Sequence, residues 1–421
     1  MKTAIIASVS ALALLLPSGA LAQEKIKLGI LVALEGAFAA GGADGVRNVE
    51  LALKQAGNKA GGKEIEYVVA PTDTTPDTTI RQARKLIEQD NVDIIIGPLS
   101  GSEGIAMRDY AKTIPEKTVI NGISGALETT WVDPAPNFYR FNLDGAQWGS
   151  GLGSYVVNEK GWKKVATVAA DYSFGYTNFL GFAVDFCRAG GEIVERFWVP
   201  LGSSDFGGVI AALPDDIDAI YLGVGGTDAI NFLNQYEQAG AETNLIGGTI
   251  MADQTVLTSK GRAKEALVGT PTSGPLADDN PAPEWQSYVK AYQEAFPEAD
   301  RFPSPSLFGV GYYVATQAAL QALNAVEGDL SDGQKKLHEA LATMPLDTPL
   351  GKVTLNENRQ AIGSVFINEV VEGDDGNLKN VFRARTDNVT QTLGMTADEF
   401  RAMGLPSRDT PDCNTLGGKE G

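Results

Sequence analysis

Val92-Asp-Ile-Ile-Ile-Gly-Pro-Leu-Ser-Gly-Ser-Glu-Gly104 reads as a short apolar strand that runs straight into a turn of glycine, proline and serine. A strand that is apolar at successive positions is buried on both faces, and such strands belong to parallel sheets covered by helices. The turn falls at the strand's carboxyl end, where open parallel sheets bind their ligands. The pattern repeats outward from it. Ile26–Val32, Glu64–Ala70 and Lys117–Asn121 read as further strands. Between them lie a helix carrying Val46, Val49 and Leu53 and another carrying Ile80, Ala83 and Ile87, which Asp77 is placed to cap. After Asp144 the series restarts, with strands at Lys164–Ala170, Glu192–Val199, Ile217–Val224 and Asn244–Ile250. Helices are expected around Gly175–Arg188, Asp205–Leu213 and Asp228–Gln238. Two such series imply an α/β chain of two doubly wound parallel-sheet lobes. A long helix, Ser306–Val326, follows proline-rich linkers, and Lys352–Leu355 with Ser364–Val371 read as a hairpin. From Thr386 the sequence promises a short helix, Thr396–Met403, and a proline- and glycine-rich tail.

The first 22 residues hold one charge, Lys2, then an apolar run to Leu16, Pro17, and Ala20-Leu-Ala22. This is the pattern of a secretory signal peptide, 1–22, and the apolar run is shorter than the ~20 residues a membrane span needs. The mature chain is expected to start near Gln23, in the bacterial periplasm. The 421 residues, 43% hydrophobic and 21% charged, suit two domains. The net charge of −19 becomes one unit more negative when Lys2 leaves with the signal. Such a chain repels phosphate backbones and anionic lipid, so nucleic acid is not an expected partner.

Cys187 and Cys413 are the two cysteines, and an oxidising compartment favours their pairing. The one histidine, His338, lies in the polar segment Gln334–Ala342 and reads as a solvated surface residue. Histidine triads and multi-histidine metal sites therefore lack material. The turn after Ile96 is not a Gly-x-Ser-x-Gly elbow, and Gly223-Val-Gly225-Gly226 lacks the third spaced glycine of a dinucleotide fingerprint. No catalytic residue, metal or cofactor is expected.

The order of features resembles the periplasmic binding proteins of the branched-chain amino acid uptake family, the type I clamshells. The resemblance rests on the opening strand with Glu35-Gly36, Ile96-Gly-Pro-Leu-Ser100, Asp171-Tyr-Ser-Phe-Gly175, Asp218-Ala-Ile-Tyr-Leu-Gly223 and Pro349-Leu-Gly-Lys-Val353. It implies a hinge crossed near Asn142–Asp144, Pro271–Ser273 and Met344–Pro345. The implied lobes are 23–142 plus 272–344 and 143–271 plus 345–400, with a tail at 401–421. The family pattern places a ligand carboxylate on main chain and hydroxyls at Gly101, Ser102, Ile123, Ser124 and Gly125, where Gly125 replaces a more usual threonine. It places an aromatic at Phe174, beside Tyr172. The positions that hold an amino acid's ammonium fall at Gly225 and Thr249, neither of them anionic. A desolvated ammonium needs an anionic partner. The expected ligand is thus an aromatic or aliphatic carboxylate, walled by Phe38, Trp148, Tyr172 and Phe174, with Gly125 and Gly225 leaving room. The implied function is the monomeric solute-binding component of an ABC importer, delivering to a membrane permease. The alternatives are a periplasmic sensor that docks to a membrane receptor and a secreted enzyme on a similar scaffold.

Overall fold

The computed structural model describes residues 25–259 and 263–420. The expected signal segment, 1–22, and the expected start at Gln23 lie outside the described residues. The first sheet comprises β1 (Lys25–Ala33), β2 (Lys59–Ala60), β3 (Lys63–Thr72), β4 (Ile94–Ile96), β5 (Thr118–Ile120) and β6 (Phe138–Tyr139). Its order is β2-β3-β1-β4-β5-β6, parallel except for the β2–β3 pair. The chain leaves β1 for β3 on one side and β4 on the other. The strand order therefore reverses between β1 and β4, a switch point that opens a crevice at the strands' carboxyl ends.

The second sheet repeats this plan. It contains β7 (Lys164–Ala170), β8 (Glu192–Val199), β9 (Ala219–Gly223), β10 (Asn244–Gly247) and β11 (Pro271–Gly274). Strand β7 is central, with β8 on one side and β9 then β10 on the other, all parallel. The sheet continues antiparallel from β11 into β14 (Ala361–Glu372), which joins β13 (Gly351–Leu355) and, through it, β12 (Leu346–Thr348). The type I clamshell is therefore present as two doubly wound lobes.

Between β11 and β12 the chain returns to the first lobe. The helix Leu307–Ala325 lies along the helix Ala39–Gln55 there. Close approach is possible because Gly41 and Gly45 have no side chains. A Cβ on Gly45 would sit 2.8 Å from the Tyr312 ring, and one on Gly41 would overlap Phe308.

Some expectations are corrected. The helix Pro76–Glu88 starts from Thr75 with proline in its first turn, so Asp77 lies inside that turn and caps nothing. His338 is half-buried: its ring lies 6.0 Å from that of Tyr139, and burial lowers its pKa. A long strand, β15 (Leu378–Val389), pairs with β14 where the sequence offered no strand signal. Its side chains are mostly exposed, so the apolar alternation that marks a strand is missing. The tail is tied down as well. Its strand β16 (Lys419–Glu420) adds parallel to β8, Arg196 pairs with Glu420, and Cys187 is bonded to Cys413 with Cα atoms 5.3 Å apart. Among the described residues, no helix is long and apolar enough to cross a membrane.

The bridge closes a loop of 226 residues, so it constrains the unfolded chain strongly. Cys413→Ser should lower unfolding free energy by about 2–5 kcal/mol in urea titration. Intact mass of the exported protein without reductant should show no free thiol; two free thiols would exclude the bridge.

Candidate ligand-binding cleft

The two switch points face each other. From the first lobe, the turn after β1 supplies Phe38, the turn after β4 supplies Leu99, Ser100 and Gly101, and the turn after β5 supplies Ile123 and Gly125. From the second, the turn after β7 supplies Tyr172 and Phe174, the helix Gly145–Gly149 supplies Trp148, and the turn after β10 supplies Ile250. Leu307 and Phe308, at the start of the long helix, close the wall. Together they enclose a cavity of about 260 Å³ with no charged side chain in its lining.

The lobes touch across this cavity. The Ser102 and Ser173 hydroxyls are 3.3 Å apart, and Asp253 of the second lobe accepts the Leu307 N–H at 2.6 Å. Gly226, with φ of 55°, lets its backbone lie against Ala37 and Phe38. A Cβ on Gly101 would stand 2.9 Å from the Phe174 nitrogen. This is a closed arrangement.

Seven of the expected site residues line the cavity: Phe38, Gly101, Ile123, Gly125, Trp148, Tyr172 and Phe174. The others sit beside it. Ser102 is one residue further along its helix. The Ser124 hydroxyl is turned under the helix Gly101–Ala111, where a Cβ on Gly104 would overlap it, and it is buried without a partner. The room left at Gly225 is taken by Ile250, which a Cβ there would approach to 2.6 Å. The Thr249 hydroxyl accepts from Asn178 Nδ2 at 3.2 Å. Leu99, Ser100, Ile250, Leu307 and Phe308 were not singled out in the sequence. Leu99 and Ser100 lie within the decisive turn, whereas Phe308 reaches the cleft only through the packing of two helices distant in sequence.

The polar character of the cavity is mostly main chain. Ser100 caps the helix Gly101–Ala111 through a capping box with Glu103, leaving the Gly101 and Ser102 N–H groups free at its first turn. In the 124–126 loop the carbonyls are all occupied. Ser124 O accepts from Asn121 and from Arg140, Gly125 O from Gly145 N, and Ala126 O from Arg140 at 2.7 Å. Among the described residues the Gly125 and Ala126 N–H groups find no acceptor. Free N–H groups and a helix N-terminus favour an anion. The carboxylates nearby are engaged elsewhere. Glu103 accepts from Ser100 N and Thr79, and Asp253 accepts from Thr255 and Leu307. Two lining side chains keep unpartnered polar groups, the buried Trp148 Nε1 and the Tyr172 hydroxyl. Burial raises the Tyr172 phenol pKa, so it stays protonated.

A family model for the periplasmic binding proteins matches residues 25–377. A solute-binding protein of an ABC transporter from Rhodopseudomonas palustris, in complex with 3,4-dihydroxybenzoic acid, has a similar structure. Its TM-score is 0.79 at 28% identity, over 87% of this chain and 98% of that one. A second R. palustris solute-binding protein, in complex with benzoate, gives 0.77 at 25% identity, over 85% and 96%. A Leu/Ile/Val-binding protein homologue of Brucella melitensis is 24% identical over 87% of this chain and 92% of its own. The cleft and its two switch points are those of a solute-binding clamshell. The chain belongs to the periplasmic binding protein family, whose members bind solutes and are not enzymes.

Gly101→Ala inserts a methyl group where the lobes meet. It should hinder closure and weaken ligand binding at least tenfold, about 1.4 kcal/mol, while changing the stability of the unliganded protein by less than about 1 kcal/mol. Small-angle scattering should show the variant staying open with ligand present; normal closure would contradict the contact.

Asp278, beside Asp253, accepts from Asn380 N at 2.8 Å and Gln254 Nε2 at 2.9 Å, and burial pushes its pKa up to about 6. Between about pH 4 and 6 the native group holds a proton that the unfolded chain has released, so its contribution to stability falls as pH rises through that window, by up to about 3 kcal/mol. Asp278→Asn should remove this slope. Urea midpoints at pH 5 and pH 7 should lie closer together in the variant, and an unchanged gap would show Asp278 ionised throughout.

Proposed function

We propose that the chain is the solute-binding component of an ABC importer and that its solute is a small aromatic monocarboxylate of the benzoate and hydroxybenzoate class. One observation carries this reading. An aromatic-walled cavity with no charged side chain has free main-chain N–H groups at the Gly101 and Gly125 turns. A carboxylate suits that end, and a ring suits the wall formed by Phe174 and Trp148, whose rings meet edge to face at 5.7 Å. A ring hydroxyl has two candidate partners, Tyr172 Oη and Trp148 Nε1. The benzoate and dihydroxybenzoate bound by the R. palustris proteins support the class. The relatives named for leucine, isoleucine and valine suggest an amino acid instead, but the cavity lining offers no carboxylate to an ammonium.

In this reading the mature chain starts near Gln23, works as a periplasmic monomer and delivers to a membrane permease. Its lobes divide as 23–142 plus 272–344 and 143–271 plus 345–400, and the 401–421 tail braces the second.

A thermal-shift and calorimetry panel tests the ligand class. Benzoate or a hydroxybenzoate should bind at one site per chain and raise the melting temperature, with no conversion of the ligand. Leucine, isoleucine and valine should bind weaker by two or more powers of ten, since burying an ammonium without its partner costs about 3–5 kcal/mol. Ser102→Ala should weaken binding by about 1 kcal/mol at most. Tight leucine binding with no response to any aromatic acid would overturn the proposal.

A further inference from the structure

Ile123 and Leu307, which line the cleft, also line a second and larger cavity of about 480 Å³. Segments of both lobes near the chain crossings contribute to it: Phe141–Leu143, Pro275, and Leu350 with Val353. Val310 and Val314 of the long helix complete an apolar wall.

The polar residues around this cavity are satisfied within the protein, with one exception. Asn142 accepts from Asn121 at 2.8 Å and donates to Leu143 O at 3.1 Å. The Thr348 hydroxyl donates to Gly351 O at 2.7 Å and accepts from Leu350 N. The Ser364 hydroxyl donates to Asp387 at 2.6 Å. Lys352 lines the same cavity, is exposed, and has no hydrogen-bond or ion-pair partner among the described residues. Lys160, Lys164 and Lys264 of the second lobe pair with carboxylates, whereas the Lys352 ammonium, in a chain of net charge −19, is left unpaired at the rim of this cavity.

We propose that this hinge cavity is a second ligand site, for an aliphatic monocarboxylate whose alkyl chain fills the cavity and whose carboxylate meets the Lys352 ammonium. The lining is largely aliphatic, with Phe141 its one aromatic, and the unpaired cation sets the sign of the head group. Because the walls come from both lobes, lobe opening changes the cavity's shape. An occupant that fits the closed arrangement shifts the population toward it. By linkage it raises affinity in the cleft, and a cleft ligand raises affinity at the hinge by the same factor. The hinge site stands independently of which solute the cleft binds; only the coupling draws on the cleft ligand.

Octanoate is the probe, titrated by calorimetry into the mature protein with the cleft saturated by benzoate. If no aromatic acid binds the cleft, the titration is run on Gly125→Leu, whose added side chain fills the cleft between Phe174 and Trp148. One octanoate should bind, about fourfold tighter per methylene than hexanoate. Lys352→Glu should weaken octanoate at least tenfold and leave benzoate affinity unchanged. Leu350→Trp, which fills the cavity from its exposed edge, should abolish octanoate binding. In the parent, octanoate and benzoate should each tighten the other. The proposal fails if octanoate does not bind, if it competes with benzoate, or if both variants bind it as the parent does.

Discussion

A guanidinium buried where the lobes join sets the geometry of everything that faces ligand. Arg140 is completely buried, and although burial lowers its pKa to about 10 it remains a cation at neutral pH. Its nitrogens hold Ser124 O and Ala126 O of the binding loop, the Thr130 hydroxyl, Gln360 Oε1 and, at 3.5 Å, the carboxylate of Asp144. Asp144 caps the helix that carries Trp148, and Gln391 ties that carboxylate to the strand-rich end of the second lobe. An unpaired charge at such a depth is strongly destabilising, so each partner is held as firmly as it holds Arg140. Because the loop carbonyls point to this cation, the Gly125 and Ala126 N–H groups are left without internal acceptors.

The site's chemistry follows from that constraint. The cleft of this acidic protein offers an anion peptide dipoles and a helix N-terminus, and no lysine or arginine lines it. The aromatic walls come from the two switch points, which the fold places opposite each other. Glycines at 101, 125 and 226 allow the lobes and rings to approach to van der Waals distance. Buried Asp44 and Asp253, one from each lobe, receive the Ser306 and Leu307 N–H groups. They neutralise the start of the long helix, so the anion's attraction is left to the helix at Gly101.

Much of this was legible in the sequence because it depends on local pattern. Continuous apolar strands announce parallel sheets, and turns such as Gly97–Ser100 mark the ligand face. Phe174 came from a family pattern that survives at low identity, and Trp148 from the search for aromatics to wall the cleft. What was not legible depends on tertiary packing. Ile250 filling the space at Gly225, Phe308 reaching the cleft over Gly41, and the Ser124 hydroxyl turning beneath a helix leave no periodic trace. Strand β15 escaped notice because its outer face is solvated and charged. Arg140 gave one signal: a charge between Tyr139 and Phe141, in a stretch otherwise apolar.

The central claim is that main-chain N–H groups, not a charged side chain, hold the solute's carboxylate. A crystal structure of the complex with 4-hydroxybenzoate tests it most directly. The account predicts the carboxylate within hydrogen-bond distance of the Gly125 nitrogen and the Gly101 or Ser102 nitrogen, with the ring packed against Phe174 and Trp148. A carboxylate directed away from both turns, or paired with a lysine or arginine, would contradict it.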